Sequence, residues 1–228
     1  MKKGRTIKLG DIRRPPVNLV EGFKNLATST VANALEDLGV DGVLPEIKSI
    51  APGLCCVGPA VTVSETTGAK GTFPPEDFRI GHMIEAAAAG DVIVVDNGGH
   101  RVSTWGGMAS YAAHLKGIAG LVVDGAVRDL EEIVEFSFPV FARHLTPTTG
   151  KTRLRVEAIN IPVTVDGIAV SPGDIIVGDG TGIVRVPADK AAETLALAQA
   201  FARDDGQAME EMRDGLSFKE ALGKFAKI

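Results

Sequence analysis

Two stretches of this sequence set polar and flexible residues at the point where an apolar strand ends. The first is Asp96-Asn-Gly-Gly99, then His100 to Thr104, then Trp105-Gly-Gly-Met108; it leaves the apolar run Val92-Ile-Val-Val95 and enters a helical pattern. The first turn of a helix carries free N–H groups with the positive end of the helix dipole behind them. The amides of Gly106, Gly107 and Met108 are therefore candidates for binding a carboxylate or phosphate. The second stretch is Val123-Asp-Gly-Ala-Val-Arg-Asp129. Arg128 has the planar fork that grips a carboxylate in two places or stabilises a developing oxyanion, and Asp129 offers oxygen to a hard cation such as Mg²⁺. Packing explanations compete: paired glycines let a helix approach a strand, and an Arg-Asp pair can cap the helix that follows. Two strand ends opening on one cleft, where open α/β sheets take their ligands, favour a site.

These residues need strands and helices to hold them. From residue 77 the pattern alternates: a helix over 77–89 stopped by Gly90, a strand over 91–96, a helix over 105–116, a strand over 118–123, a short helix over 128–135 and a strand over 140–142. Short β-branched runs separated by helices predict parallel strands buried on both faces. Upstream, a strand is expected at about 55–64, and Thr28 is placed to cap a helix that runs to Leu38 and stops at Gly39. Between Arg153 and Pro187, the turn signals Asn160-Ile-Pro, Asp166-Gly167, Ser171-Pro-Gly-Asp174 and Gly178-Asp-Gly-Thr-Gly182 predict a β meander. The last of these leads into Ile183-Val-Arg-Val186, a strand, and so reads as a hairpin turn. A nucleotide or methyl-donor loop would have to open a helix. A long helix over 188–213 and a last one over 217–224 close the chain. The whole reads as a basic arm over 1–16 and a single α/β domain over 17–228, with C-terminal helices over 188–228. The arm carries six basic side chains against Asp11 and is read as solvated, with contact to an acidic partner as the other reading.

Composition removes several function classes. With 228 residues, 45% of them apolar, the chain can bury a core without disulfide or metal staples. Lys plus Arg total 24 and Asp plus Glu 29, a net charge of −5 that disfavours direct nucleic-acid binding. No apolar stretch approaches the roughly 20 residues of a membrane helix and no signal-peptide core follows Met1, so a soluble, cytoplasmic protein is expected. Cys55 and Cys56 are adjacent, which strains a disulfide, and are expected as buried free thiols. His82, His100, His114 and His144 show no metal-site spacing. The 27 glycines against one Trp and one Tyr point to tight turns around an aliphatic core.

Several segments resemble the RraA-like family, which includes the regulator of ribonuclease E activity and class II pyruvate aldolases acting on 4-hydroxy-4-methyl-2-oxoglutarate. They are Thr30-Val-Ala-Asn-Ala-Leu35, Gly58-Pro-Ala-Val-Thr-Val63, Gly90-Asp-Val-Ile-Val-Val-Asp96, Trp105-Gly-Gly-Met-Ala109, Gly117 to Asp129, Val165 to Asp174 and Gly182-Ile-Val-Arg-Val-Pro187. The resemblance implies a swivelling β/β/α fold in homotrimers or homohexamers, with the site near a subunit interface. It implies Arg128 as a catalytic and pyruvate-binding residue, Asp129 as the ligand of Mg²⁺ or Mn²⁺, and the amides of Gly106, Gly107 and Met108 as the cradle of the substrate carboxylate. One position departs: Gly107 stands where the aldolases carry an acid that orders a water. A further acid from a neighbouring subunit's C-terminal helix corresponds to Asp204 or Asp205.

The chemistry so implied is a divalent-metal lyase acting on a small 2-oxo acid. Charge from a broken bond at C3 would settle on an enolate oxygen held by the metal and Arg128, in retro-aldol cleavage or in decarboxylation of oxaloacetate. Lys70, Lys116 and Lys190 fall at helix ends or in loops, which disfavours a Schiff base. The alternative is a non-catalytic regulator that binds ribonuclease E.

Overall fold

The two all-apolar runs form neighbouring strands at the centre of the main sheet. In the computed structural model, which describes residues 6–225, the chain opens with β1 (Lys8–Leu9), α1 (Val17–Glu21), α2 (Thr28–Asp37), β2 (Val43–Leu44) and β3 (Lys48–Ser49). There follow the long β4 (Cys56–Thr67), α3 (Ile80–Ala86), β5 (Val92–Asp96), β6 (Ser103–Trp105), α4 (Gly107–Lys116), β7 (Gly120–Val127), α5 (Leu130–Glu135) and β8 (Val140–Leu145). The remainder comprises β9 (Leu154–Ile159), β10 (Val163–Val165), β11 (Ile168–Val170), β12 (Ile175–Gly178), β13 (Ile183–Val186), α6 (Ala191–Arg213) and α7 (Phe218–Lys224).

The parallel core is β4-β5-β7-β8, and antiparallel strands extend it to the order β2-β13-β12-β4-β5-β7-β8-β3. The meander segment divides its strands. β9 and β12 both pair with β4, β12 and β13 form the expected hairpin around Gly178 to Gly182, and β10–β11 makes a separate two-stranded sheet.

Successive residues of a strand face opposite sides, and here both sides are covered. Ile93, Val95, Leu121 and Val123 pack with Met83 of α3, Ala113 of α4 and Ile133 of α5. Val92, Val94 and Val122 pack the other way, with Val163, Val165 and Val170 of the β10–β11 hairpin. That is why these strands read as unbroken apolar runs. A third core joins α1, α2 and α6 to β12 and β13 through Val20, Leu35, Ala198, Ile175 and Val184.

Local expectations are corrected in five places. The helix drawn over 77–89 is a 3-10 turn at Pro75–Asp77 followed by α3, which ends at Ala86 because Asp91 Oδ2 accepts the Ala88 N–H at 2.7 Å and turns the backbone away. Trp105 does not start α4 but ends β6; its buried indole stacks on Phe138 with ring centroids 6.3 Å apart and donates to Ser110 Oγ at 2.9 Å. Thr28 is not the cap of α2: its amide and hydroxyl donate to the Asp179 carboxylate at 2.9 and 2.8 Å. The described part of the basic arm is docked, with Lys8–Leu9 paired to β9 and Arg14 Nη2 on Asp91 Oδ2 at 2.6 Å; residues 1–5 lie outside the described residues. Cys56 is buried but Cys55 is exposed, and both are free.

Candidate active site

Gly106 and Gly107 follow the last residue of β6, and Arg128 and Asp129 follow the last residue of β7. Parallel pairing of these strands, sealed by the Arg128 N–H donating to the Trp105 carbonyl at 3.0 Å, sets the two dipeptides side by side. Asp129 has φ 60° and ψ 48°, the left-handed region that Asp and Asn tolerate better than other side-chain-bearing residues. It precedes α5 without capping it by its side chain. Its carboxylate turns instead to α4, where Oδ2 accepts the Gly107 N–H at 3.1 Å and lies 3.3 Å from Arg128 Nε. A negative charge at that place is favoured by the dipole of α4. The side chains of Arg128 and Asp129 are 43% and 36% exposed, and Asp129 Oδ1 has no hydrogen bond among the described residues.

The glycine pair is required by this approach. A β-carbon at Gly106 would fall on the Asp129 carboxylate, with Arg128 Cγ and Nε at 3.1 Å. A β-carbon at Gly107 would fall on the Glu132 carboxylate, with Glu132 Cβ at 2.7 Å. Of the three amides proposed from sequence, that of Gly107 is engaged by Asp129, while that of Met108 belongs to the unpaired first turn of α4. The Met108 side chain is 81% exposed.

Asp124, the third charged residue of the β7 stretch, belongs elsewhere. It is 6% exposed and accepts from Arg143 Nε and from the Asp166 N–H, both at 2.7 Å. Arg143 Nη2 also meets Asp166 Oδ1 at 2.6 Å. Hydrogen bonding to Asp124 raises the Arg143 guanidinium further above its ordinary range. Neighbouring Asp96 is raised by partial burial and, more weakly, by Asp124. Glu65 on β4 accepts from Thr104 Oγ1 at 2.5 Å, and its Oε2 is buried without a partner among the described residues. Burial pushes the Glu65 carboxyl up to about 8.

Arg143, Glu65 and Glu132 escape a reading of the sequence. The first two are defined by partners 19 and 39 positions away. Glu132 leaves one trace, a glycine opposite it. Asp204 and Asp205 lie on α6, which packs on α1, α2 and α7; no hydrogen bond or ion pair among the described residues joins them to Arg128 or Asp129. No three His, Cys, Asp or Glu side chains gather as a cation cage among the described residues. The free Oδ1 of Asp129 fits a cation that takes one protein carboxylate and fills its remaining positions with substrate oxygens and water, as Mg²⁺ commonly does.

Residues 28–185 match the family described as RraA-like, Aldolase/RraA. The chain belongs to this family. A 4-hydroxy-4-methyl-2-oxoglutarate aldolase of Thermus thermophilus is 37% identical to this RraA-like chain over 106 residues, covering 46% of the chain and 64% of that enzyme. An uncharacterized protein from Pseudomonas syringae pv. tomato has the same fold, with a TM-score of 0.83 at 32% identity over 92% of this chain and 98% of the other. RraAS2 of Streptomyces coelicolor, described as an unusual member of the RNase ES inhibitor RraA protein family, gives a TM-score of 0.76 at 28% identity over 89% and 100%. Two further curated relatives are spanned over only 33% and 62% of their lengths. No helix among the described residues is long and apolar enough to cross a membrane.

Proposed function

We propose that this RraA-like protein is a lyase that cleaves a small 2-oxo acid through a pyruvate enolate, with Mg²⁺ or Mn²⁺ bound at Asp129. The observation that carries the reading is the open Arg128–Asp129 pair against the N-terminus of α4. It combines a half-exposed guanidinium, a carboxylate with a free oxygen and an unpaired first-turn amide at Met108. The cation would supply Lewis-acid polarisation of the substrate carboxylate and keto oxygen. Arg128, beside Asp129, would oppose the charge that develops on the keto oxygen as the C3 bond breaks. The first-turn amides of α4 orient the carboxylate end. Both retro-aldol cleavage of a 4-hydroxy-2-oxo acid and decarboxylation of oxaloacetate use this arrangement.

Purified protein with Mg²⁺ is expected to release pyruvate from 4-hydroxy-4-methyl-2-oxoglutarate or oxaloacetate. Asp129→Ala should lower kcat/KM about 10³-fold, the loss of several kcal/mol of charge stabilisation. Turnover no faster than Mg²⁺ alone removes the lyase reading. The description of the Streptomyces relative favours a second reading, a protein-binding regulator of an RNase E-type nuclease; retention of that nuclease by the immobilised catalytically silent protein would support it.

A homo-oligomer is part of the proposal. Met108, Tyr111 and Leu115 lie three and four residues apart on one face of α4 and are 81%, 45% and 68% exposed, beside the site. A second copy of the chain is the proposed cover for this face, and a monomer in sedimentation velocity would exclude it.

A further inference from the structure

We infer that Glu132 is the general acid–base of this site, working from the space that a side chain at position 107 would otherwise occupy. The inference rests on the lyase reading above and names the residue that moves its proton. Glu132 lies in the first turn of α5, three residues after Asp129, and the two carboxylates come against the adjacent glycines Gly107 and Gly106. Its side chain crosses to α4. A β-carbon on Gly107 would overlap its carboxylate, with Cδ at 2.6 Å and its own Cβ at 2.7 Å. The contact with Cβ does not depend on how the rest of the side chain turns. The start of α5 itself sits over Gly107, and position 107 has no room for a functional side chain of its own.

The groups that meet the glycine pair are Arg128, Asp129 and Glu132. Arg128 presents donors and no acceptor. Asp129 has one oxygen engaged by the Gly107 amide and Arg128, and its other oxygen is the cation's ligand in the reading above. Glu132 is exposed, and its side chain makes no hydrogen bond or ion pair among the described residues. It is the carboxylate left to exchange a proton with substrate, directly or through one water.

In cleavage of a 4-hydroxy-2-oxo acid, the C4 hydroxyl proton passes to Glu132. The O–H electron pair becomes the new carbonyl bond at C4, and the C3–C4 pair becomes the C2–C3 double bond. The keto oxygen takes the negative charge beside Arg128. Return of the proton from Glu132 to C3 yields pyruvate. Oxaloacetate offers no hydroxyl proton to remove, so its decarboxylation needs Glu132 at most for the final protonation, a step that water also performs.

The experiment compares wild type, Glu132→Gln and the neighbouring control Glu131→Gln on 4-hydroxy-4-methyl-2-oxoglutarate and oxaloacetate with Mg²⁺. Calorimetry of Mg²⁺-dependent oxalate binding gives a readout independent of turnover. Glu132→Gln should depress the ratio of cleavage to decarboxylation rates by about 10²-fold, the lower end of what a positioned acid–base contributes. Its oxalate affinity should stay within about twofold, and Glu131→Gln should match wild type in both reactions. Equal loss of both reactions together with loss of oxalate binding would make Glu132 a structural residue, and an unchanged ratio would remove its role. A wild type that decarboxylates oxaloacetate but does not cleave the hydroxy acid overturns the role of Glu132 while leaving the lyase reading intact. A wild type inactive on both overturns the lyase reading itself.

Discussion

Arg143 and Arg128 stand at the carboxyl ends of adjacent parallel strands, and each faces aspartate, yet the two clusters differ in every physical respect. Arg143 makes contacts of 2.7 and 2.6 Å to Asp124 and Asp166, whose side chains are 9% and 6% exposed. The Asp166 amide fills a further position on Asp124. All four carboxylate oxygens of Asp124 and Asp166 are taken in this network, which ties the β10–β11 turn to the end of β7. Arg128 and Asp129 meet at 3.3 Å with more than a third of each side chain exposed, and one carboxylate oxygen is left over. An exposed pair of this kind contributes little to stability. The difference shows that charge at a strand end does not by itself mark a site: the capacity left unfilled does.

Substitutions should separate the two clusters, and the largest effect is expected at the closed one. Arg143→Ala leaves two buried carboxylates uncompensated and should cost about 3–5 kcal/mol in urea unfolding. A loss under about 1 kcal/mol would mean that the network is not stabilising. Arg128→Ala should leave stability within about 0.5 kcal/mol of wild type while lowering kcat/KM about 10²-fold. Matching losses in the two assays would erase the distinction between the clusters.

An effect seen only as pH is varied concerns Glu65, which belongs to neither cluster. Its carboxyl is raised by burial from 4.5 to about 8, so the folded state favours the neutral form. That contribution is fully present below pH 4.5 and is lost as pH rises through 8. Glu65→Gln stays neutral throughout, so its stability relative to wild type should grow by about 3 kcal/mol between pH 5 and 8. Parallel pH curves for the two proteins would contradict the assignment.

Sequence reading reaches as far as contacts that are local or periodic. β5 and β7 declare themselves because both of their faces are apolar, and the turn at Gly178 to Gly182 declares itself because a strand follows it. That Gly106-Gly107 and Arg128-Asp129 share one cleft is expected from the ends of the strands over 91–96 and 118–123, but the strand that sets them side by side is β6, which the sequence does not show. Trp105 reads as helical because β6 has only three residues, too few to show alternation. Asp124 reads only as one more charge in the stretch that ends in Arg128-Asp129, because Arg143 and Asp166 come close to it only in the folded chain. Glu132 shows in the sequence as an ordinary first-turn acid, and its reach over Gly107 is a matter of how α4 and α5 cross.

The Asp179 carboxylate that receives the amide and hydroxyl of Thr28 reaches back 151 positions along the chain. During synthesis α2 is among the first helices to emerge, but its leading end has no acceptor until the β12–β13 hairpin has been made and has closed. Contacts of such long range form late and slow the folding of the domains that depend on them. The first third of this protein therefore waits, with a frayed helix end, for the last third to complete it.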